Sequence, residues 1–198
     1  MIESRKDYIR YLEADRLALG IERKRPLPII DEIWRFERLL RKTEYHRNCS
    51  KTPFGKMLGL FCHFLLSRKK SRYGFSIPIN VFGPGLSIAH FGSIVVNGNA
   101  HVGKNCRIQE STTIGATNGS AKAPIIGDNC FIGSGARIIG DIILADDIAV
   151  GANAVVVKSC ETSKVTLAGV PAKVVSHKGS ANNLSRLIRE NDKQEGNR

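Results

Sequence analysis

The sequence has no apolar run that could cross a bilayer. Its longest such run, residues 57–66, has ten residues, whereas a transmembrane helix needs about 20. The first seven residues carry charges of both signs and lack the apolar centre of a signal peptide. We therefore expect a cytoplasmic protein.

Cysteines are also few. The five that are present form no C-x-x-C pair, and their odd number suits neither a disulfide framework nor a four-ligand zinc site. We expect free thiols, as in a reducing compartment, and no metal.

Acidic residues are scarce in the first part of the chain. The net charge is +12, and residues 1–72 contain 18 Lys and Arg against 9 Asp and Glu, whereas residues 73–176 contain 7 against 6. A basic segment can bind nucleic acid, anionic lipid or an acidic partner. Because no nucleic-acid-binding motif is present, we expect no nucleic acid as a partner. A peripheral membrane contact stays open.

Residues 1–72 are predicted to form a basic helical segment. Apolar side chains recur at helical spacing between residues 28 and 42, at Ile29, Ile33, Phe36 and Leu40. Thr52 followed by Pro53 is typical of a helix N-terminus. Apolar runs of about 10 to 14 residues are usually buried, so we expect residues 57–66 to pack on the rest of the chain.

From residue 73 the apolar residues recur every six positions. Ten of the eleven positions counted in this way hold Ile, Leu or Val: Val96, Val102, Ile108, Ile114, Ser120, Ile126, Ile132, Ile138, Leu144, Val150 and Val156. A glycine follows five of them. A period of six matches no helix, and such a repeat is the signature of a solenoid.

A prism with three flat faces explains this repeat. Each six-residue unit supplies one short strand and one turn, and three units complete a coil that stacks about 4.8 Å above the previous one. Aliphatic side chains fill the interior. The open ends of the stack need covers, which the helices and the segment after Val165 are expected to provide. We therefore divide the chain into residues 1–72, 73–176 and a polar tail, 177–198.

Two breaks in the repeat are candidates for function. Ser120 lies in a run rich in Gly, Ala and Asn, which predicts a loop near residues 115–125 that leaves the coil. His90 lies six residues before Val96 and so takes a position in the repeat. A neutral imidazole there can accept a proton from a hydroxyl, although an ordinary core or surface histidine is the alternative.

Three segments resemble the hexapeptide-repeat acyltransferases, most closely their serine O-acetyltransferase branch. They begin at Gly85 (G-L-S-I-A-H-x-G-x-I-V-V-N), Thr112 (T-T-I-G-A-T) and Ala168 (A-G-V-P-A-K-V). The resemblance implies a mainly β fold, a left-handed parallel β-helix preceded by helices, although parallel crossovers are generally right-handed. It also implies an acetyl-CoA-dependent enzyme, a homotrimer with sites between subunits, and His90 as general base.

The resemblance also suggests where acetyl-CoA binds. Ser134 and Ala152 match backbone and hydroxyl contacts of related sugar acetyltransferases, and Val157 with Lys158 matches a further pair. Lys173 matches a basic residue that faces the phosphates of the cofactor. Gly115 and Ala116 are candidates for the amide groups that stabilise a tetrahedral intermediate.

The acceptor is predicted from three departures. Serine acetyltransferases place aspartates where this chain has Ala89 and Phe75, and a histidine where it has Ala123. These losses favour a sugar-type hydroxyl acceptor, such as an intermediate of a surface polysaccharide, with serine as the alternative. A non-catalytic scaffold is a third hypothesis. A zinc enzyme of the γ-carbonic anhydrase type is nearly excluded, because it needs three histidines and the repeat region has only His90 and His101.

Overall fold

The computed structural model describes residues 1–188 and 190. Three helices come first: α1 (Arg5–Ala18), α2 (Glu32–Cys49) and α3 (Pro53–Tyr73). As the sequence predicts, the side chain of Thr52 caps α3 by accepting a hydrogen bond from the Gly55 N–H. Helix α2 begins at Glu32, beyond Pro26 and Pro28, each of which disfavours helical backbone at the residue before it.

Fourteen short strands follow. They are β1 (Phe75–Ser76), β2 (Ser87–Ile88), β3 (Ile94–Val96), β4 (His101–Val102), β5 (Arg107–Ile108), β6 (Thr112–Gly115), β7 (Ile125–Ile126), β8 (Phe131–Ile132), β9 (Arg137–Ile139), β10 (Ile143–Leu144), β11 (Ala149–Val150), β12 (Val155–Val156), β13 (Thr166–Gly169) and β14 (Ala172–Ser176).

The strands form the three faces of a parallel β-helix. One face has the order β1-β3-β6-β9-β12, the second β10-β7-β4, and the third β14-β13-β11-β8-β5-β2. Only β14 runs antiparallel to its neighbour. The ten aliphatic residues of the repeat are all buried inside the prism, whereas Ser120 is exposed. The predicted mainly β fold with helices at its N-terminal side is confirmed.

Side-chain carboxylates close the first coil. Its backbone N–H groups have no preceding coil to bond with, and such an edge needs a partner. Asp15 accepts hydrogen bonds from Gly85 N and Leu86 N, both at 2.9 Å. Glu37 accepts one from Ile88 N at 2.9 Å, and Glu44 one from Asn80 N at 2.8 Å.

A buried arginine links two of these carboxylates. Arg41 donates to Asp15 at 2.8 Å and to Glu44 at 3.0 Å, and its remaining N–H groups reach the carbonyls of Phe82 and Gly83. All four ionisable side chains of this group, Asp15, Glu37, Arg41 and Glu44, are buried. We call Asp15, Glu37, Arg41 and Glu44 the end-cap cluster.

The other end of the stack is closed by main chain. Strand β14 folds back on β13 and so covers the last coil. The chain then returns along the prism, where Ser180 N donates to the Asp147 carbonyl. Leu184 and Ile188 pack against Ala18 of α1. These described residues of the predicted polar tail are therefore in contact with the first helix.

Helix α3 is less buried than its sequence suggests. Only Cys62, Leu66 and Tyr73 of this helix are buried. Five large apolar side chains are more than half exposed: Phe54, Met57, Leu60, Phe61 and Phe64. The expectation that residues 57–66 pack on the rest of the chain is therefore met only by a narrow side of α3, at Cys62 and Leu66. Within the described part of the chain, every helix is too short or too polar to cross a membrane.

Candidate active site

The predicted site residues lie on two of the three edges of the prism. The base edge contains the corners at residues 89–93, 109–111, 133–136 and 151–154. The loop edge contains the corners at residues 97–100, 115–124, 140–142 and 157–159. These corners join consecutive strands of different faces, so neighbouring coils place equivalent corners one above another.

His90 lies on the base edge, at an enlarged corner. Five residues separate β2 from β3, whereas three separate β5 from β6 in the next coil. Ile88 pairs with Ile108 and is buried, whereas the His90 side chain is exposed. The position of His90 in the interior repeat was therefore predicted wrongly: two additional residues shift the frame, and the histidine faces solvent instead.

Glu110 lies in the next coil, under the enlarged His90 corner. Both residues follow paired isoleucines by two positions, Ile88 and Ile108. Ser134 Oγ donates a hydrogen bond to Glu110 Oε1 at 2.5 Å. This bond, together with the nearby charge of His90, lowers the pKa of the Glu110 carboxyl. Glu110 is not among the predicted site residues, although the sequence distinguishes it: it is the only acidic residue between Glu44 and Asp128.

Two predicted acetyl-CoA contacts lie on the same edge. Arg107 lies opposite Phe131, and Phe131 lies opposite Ala149. Three residues further along each strand, this register stacks Glu110 over Ser134 and Ser134 over Ala152. The same register continues to Gly169. Side chains along the base edge therefore become smaller toward the C-terminal end of the stack.

Lys173 lies near the end of this edge. It pairs with Ala168 across the antiparallel strands, and Ala172 pairs with Gly169. Its side chain is exposed.

The remaining predicted residues lie on the loop edge. Gly115 ends β6, and Val157 and Lys158 follow β12, both of them exposed. Ala116 begins the segment that leaves the coil, in which residues 117–122 are exposed. The pairing of β3 with β6 ends with a hydrogen bond from Asn97 N to the Ile114 carbonyl. The next bond of this pattern, from Ala116 N to the Asn97 carbonyl, is not formed among the described residues. The Ala116 N–H is thus free to bind another acceptor.

Two cavities border the helices. One, of about 170 Å³, lies beside the His90 corner and is lined by Ile21, Ile30, Trp34, Ala89 and Phe91, among others. A larger one, of about 650 Å³, lies between α2 and α3 and contains none of the predicted site residues. The smaller cavity is the one that an acceptor at His90 would adjoin.

Comparisons with known proteins find serine acetyltransferases among the relatives of this chain. A serine acetyltransferase of Mycobacterium tuberculosis is 37% identical over 100 residues, which are 50% of this chain and 43% of that protein. The matched part thus spans less than half the length of this relative. No family model matches the chain.

Solved structures agree with this relationship. The crystal structure of a serine acetyltransferase from Brucella abortus has a TM-score of 0.66 at 25% identity and covers 88% of this chain and 71% of its own. The same enzyme in complex with coenzyme A has a TM-score of 0.68 at 24% identity, covering 89% and 70%.

These comparisons contradict the predicted sugar-type acceptor, since the relatives are named serine acetyltransferases. The prediction gave too much weight to the aspartates missing at Phe75 and Ala89. A carboxylate does lie in the coil next to the His90 corner, at Glu110, and the charge of His90 contributes to the lowering of its pKa. The predicted left-handed β-helix of the hexapeptide-repeat acyltransferases, with closest resemblance to their serine O-acetyltransferase branch, is confirmed.

Proposed function

We propose that this chain is an acetyl-CoA-dependent O-acetyltransferase that acetylates the hydroxyl of serine. The observation that carries the proposal is an exposed histidine, His90, at the edge of a β-helix whose relatives are serine acetyltransferases. The names of these relatives supply the acceptor, and the chemistry below follows from the residues of this chain.

His90 acts as the general base. Its imidazole accepts the proton of the acceptor hydroxyl, whose oxygen then attacks the thioester carbon. The exposed side chain is accessible to a small acceptor from the solvent or from the cavity at Ala89. The same proton can later be returned to the departing sulfur, so that base and acid are one residue.

The base edge fits an extended acyl donor. Acetyl-CoA supplies the activated acetyl group and a thiol leaving group. Ser134, Ala152 and Gly169 have small side chains or none, so a groove for this donor can form between the base edge and a neighbouring subunit. The ammonium of Lys173, exposed near the end of the groove, can pair with phosphate groups. The residues present therefore fit this donor.

A complete site requires two copies of the chain. An oxyanion donor must lie about 3 Å from the carbonyl oxygen that the attack converts to an oxyanion. Ala116 and His90 lie on different edges, separated by one face of the prism, roughly 15 Å for a strand and its flanking residues. Opposed edges of neighbouring subunits can bring them together, which supports the predicted homotrimer with sites between subunits.

The five cysteines, all within the described residues, are unpaired. This is compatible with the cytoplasm as the compartment, which we retain as part of the proposal.

Release of the CoA thiol in the presence of serine tests the proposal. With the purified full chain and acetyl-CoA, we expect serine-dependent release, and we expect His90→Ala to lower kcat at least about 100-fold. His101→Ala is the matched control, since His101 is an exposed histidine on the same β-helix. Failure of the wild type to acetylate serine, or full activity of His90→Ala, contradicts the proposal. Absence of coenzyme A binding would instead indicate a non-catalytic scaffold.

A further inference from the structure

The carboxylate at residue 110 has no assigned role. Its Oε1 accepts the hydrogen bond from Ser134, but its Oε2 is buried and has no hydrogen-bond partner in the described part of the chain. A buried carboxylate oxygen without a partner is costly, because it has lost its hydration and gained nothing in return. Such an atom calls for an explanation.

The surrounding backbone holds this carboxylate in place. The Gly135 N–H donates to the Glu110 carbonyl at 3.0 Å, and the Thr112 hydroxyl donates to the Gln109 carbonyl at 2.6 Å. Ser134 N donates to the Gln109 side chain at 3.0 Å. These bonds fix the backbone of the corner in the coil below His90, and the Ser134 hydroxyl holds the Glu110 carboxylate at that corner.

The corner above is shaped to approach Glu110 closely. Gly92 lies two residues after His90, and a Cβ placed on it would lie 3.0 Å from the Glu110 Cβ. Its φ of 134° is one that side-chain-bearing residues rarely adopt. A glycine at this position therefore lets the enlarged His90 corner pass directly over the glutamate.

Among the described residues, the other carboxylates near the His90 corner are bound elsewhere. Asp31, on the wall of the small cavity, pairs with Arg23 and accepts a hydrogen bond from the Leu27 N–H. Glu37 accepts one from the Ile88 N–H and belongs to the end-cap cluster.

In the serine acetyltransferase pattern, aspartates occupy the positions of Phe75 and Ala89, neither of which can accept a hydrogen bond through its side chain. Glu110 is the only acidic residue between Glu44 and Asp128, and Glu44 is engaged in the end-cap cluster. Asp128 lies on the third edge of the prism, after β7.

We propose that Glu110 is the positioning residue for His90: its Oε2 accepts a hydrogen bond from one ring N–H of the histidine and leaves the other nitrogen free to act as base. This inference rests on the proposed function, in which His90 is the base. The ring is exposed in the present structure, and hydrogen bonds of catalytic groups often tighten only when substrate binds. Ser134, which holds the Oε1 atom, then supports the base in addition to lining the groove.

The role has a physical consequence for the imidazole. A neutral histidine has two tautomers, and a carboxylate that accepts from one nitrogen selects the tautomer with its proton there. Loss of the carboxylate leaves both tautomers populated and the ring free to rotate. The rate of proton abstraction falls, whereas binding of acetyl-CoA along the rest of the groove is unaffected.

Substitution of Glu110 tests the inference. Glu110→Gln keeps the shape and an oxygen for Ser134 but removes the charge. We expect kcat to fall at least about tenfold, with the KM for acetyl-CoA within about twofold of wild type. Glu110→Asp should recover part of kcat. Glu161→Gln is the matched control, because Glu161 is an exposed carboxylate elsewhere on the β-helix.

Nitrogen-15 chemical shifts of the His90 ring give a readout that is independent of the acceptor. We expect one tautomer in the wild type and a mixture in Glu110→Gln, with His90→Ala identifying the signals. If Glu110→Gln lowers only the melting temperature, while kcat and the ring shifts stay at wild-type values, the inference is overturned. If the wild type fails to acetylate serine but the ring shifts change as expected, the acceptor is wrong and the role of Glu110 stands.

Discussion

The interior of the coils is packed with aliphatic side chains, whereas the contact between the helices and the first coil is made by ionisable ones. Ladders of aliphatic side chains fill the coils, and every coil satisfies the backbone of its neighbour. The first coil has no such neighbour, and its N–H groups are satisfied by buried carboxylates of the end-cap cluster. Where the repeat begins, side-chain carboxylates thus replace the backbone carbonyls that a preceding coil would supply.

The aliphatic interior and the end-cap cluster are expected to respond differently to substitution. Removal of an aliphatic group costs the transfer energy of the lost atoms plus a term for the cavity, and neighbouring coils can relax. Removal of one partner from a buried ion cluster leaves charges that have neither water nor a counterion. The comparison therefore predicts that the end cap contains the most sensitive position of the fold.

Arg41→Ala is expected to have the largest effect on stability. It leaves the carboxylates of Asp15 and Glu44 buried without their cation, and removal of one partner from such a pair typically costs about 3–5 kcal/mol. Denaturant unfolding measures the loss. Lys42→Ala is the matched control, because Lys42 is the next residue and is exposed.

If Arg41→Ala does not fold, Arg41→Lys serves in its place. It keeps the charge but lacks the fork that reaches two carboxylates and two carbonyls. An intermediate loss is then expected. A loss under about 1 kcal/mol in both variants would show that the end cap contributes as little as a surface ion pair.

Ile132→Ala is expected to have the next largest effect. Ile132 is fully buried in the middle of the stack, and such truncations cost about 2–5 kcal/mol. Ile125→Ala changes the same residue type on an outward-facing position that is 48% exposed, and a much smaller loss is expected. Equal losses in the two variants would mean that the aliphatic ladder does not dominate the stability of the coils.

The same contrast explains what the sequence could reveal. The coils were predictable because a period of six repeats over ten aliphatic positions, and the loop at Ser120 because it interrupts that period. The N-cap at Thr52 was predictable because it is a local signal. Features that occur once, such as Arg41 bound between two carboxylates and two carbonyls, leave no periodic signal.

The candidate site was predictable only in part. His90 could be selected from its motif, but its exposure depends on two additional residues at one corner, which no aliphatic residue marks. Glu110 comes under His90 only through a strand register that places Ile88 opposite Ile108. The roles of the eight predicted site residues and the division into three segments stay predictions.

Glu37→Gln is expected to have the smallest effect, and its sign depends on pH. Burial, and then the nearby charge of Asp15, raises the pKa of the Glu37 carboxyl well above its ordinary value. Below the ordinary value, near pH 4, both folded and unfolded chains hold this proton. As the pH rises, the unfolded chain loses the proton first, so the stability that Glu37 contributes falls until its folded pKa is passed.

Glutamine has no charge to bury and keeps an oxygen for the Ile88 N–H. The melting temperature of Glu37→Gln relative to wild type should therefore increase between pH 4 and pH 8, by about 2–4 °C for each kcal/mol regained. Glu32→Gln makes the same substitution at the partly exposed first turn of the same helix and serves as the matched control. A difference for Glu37→Gln that does not change with pH would mean that the end-cap cluster holds Glu37 ionised at no cost, because the positive charges of Arg41 and Arg107 offset its burial.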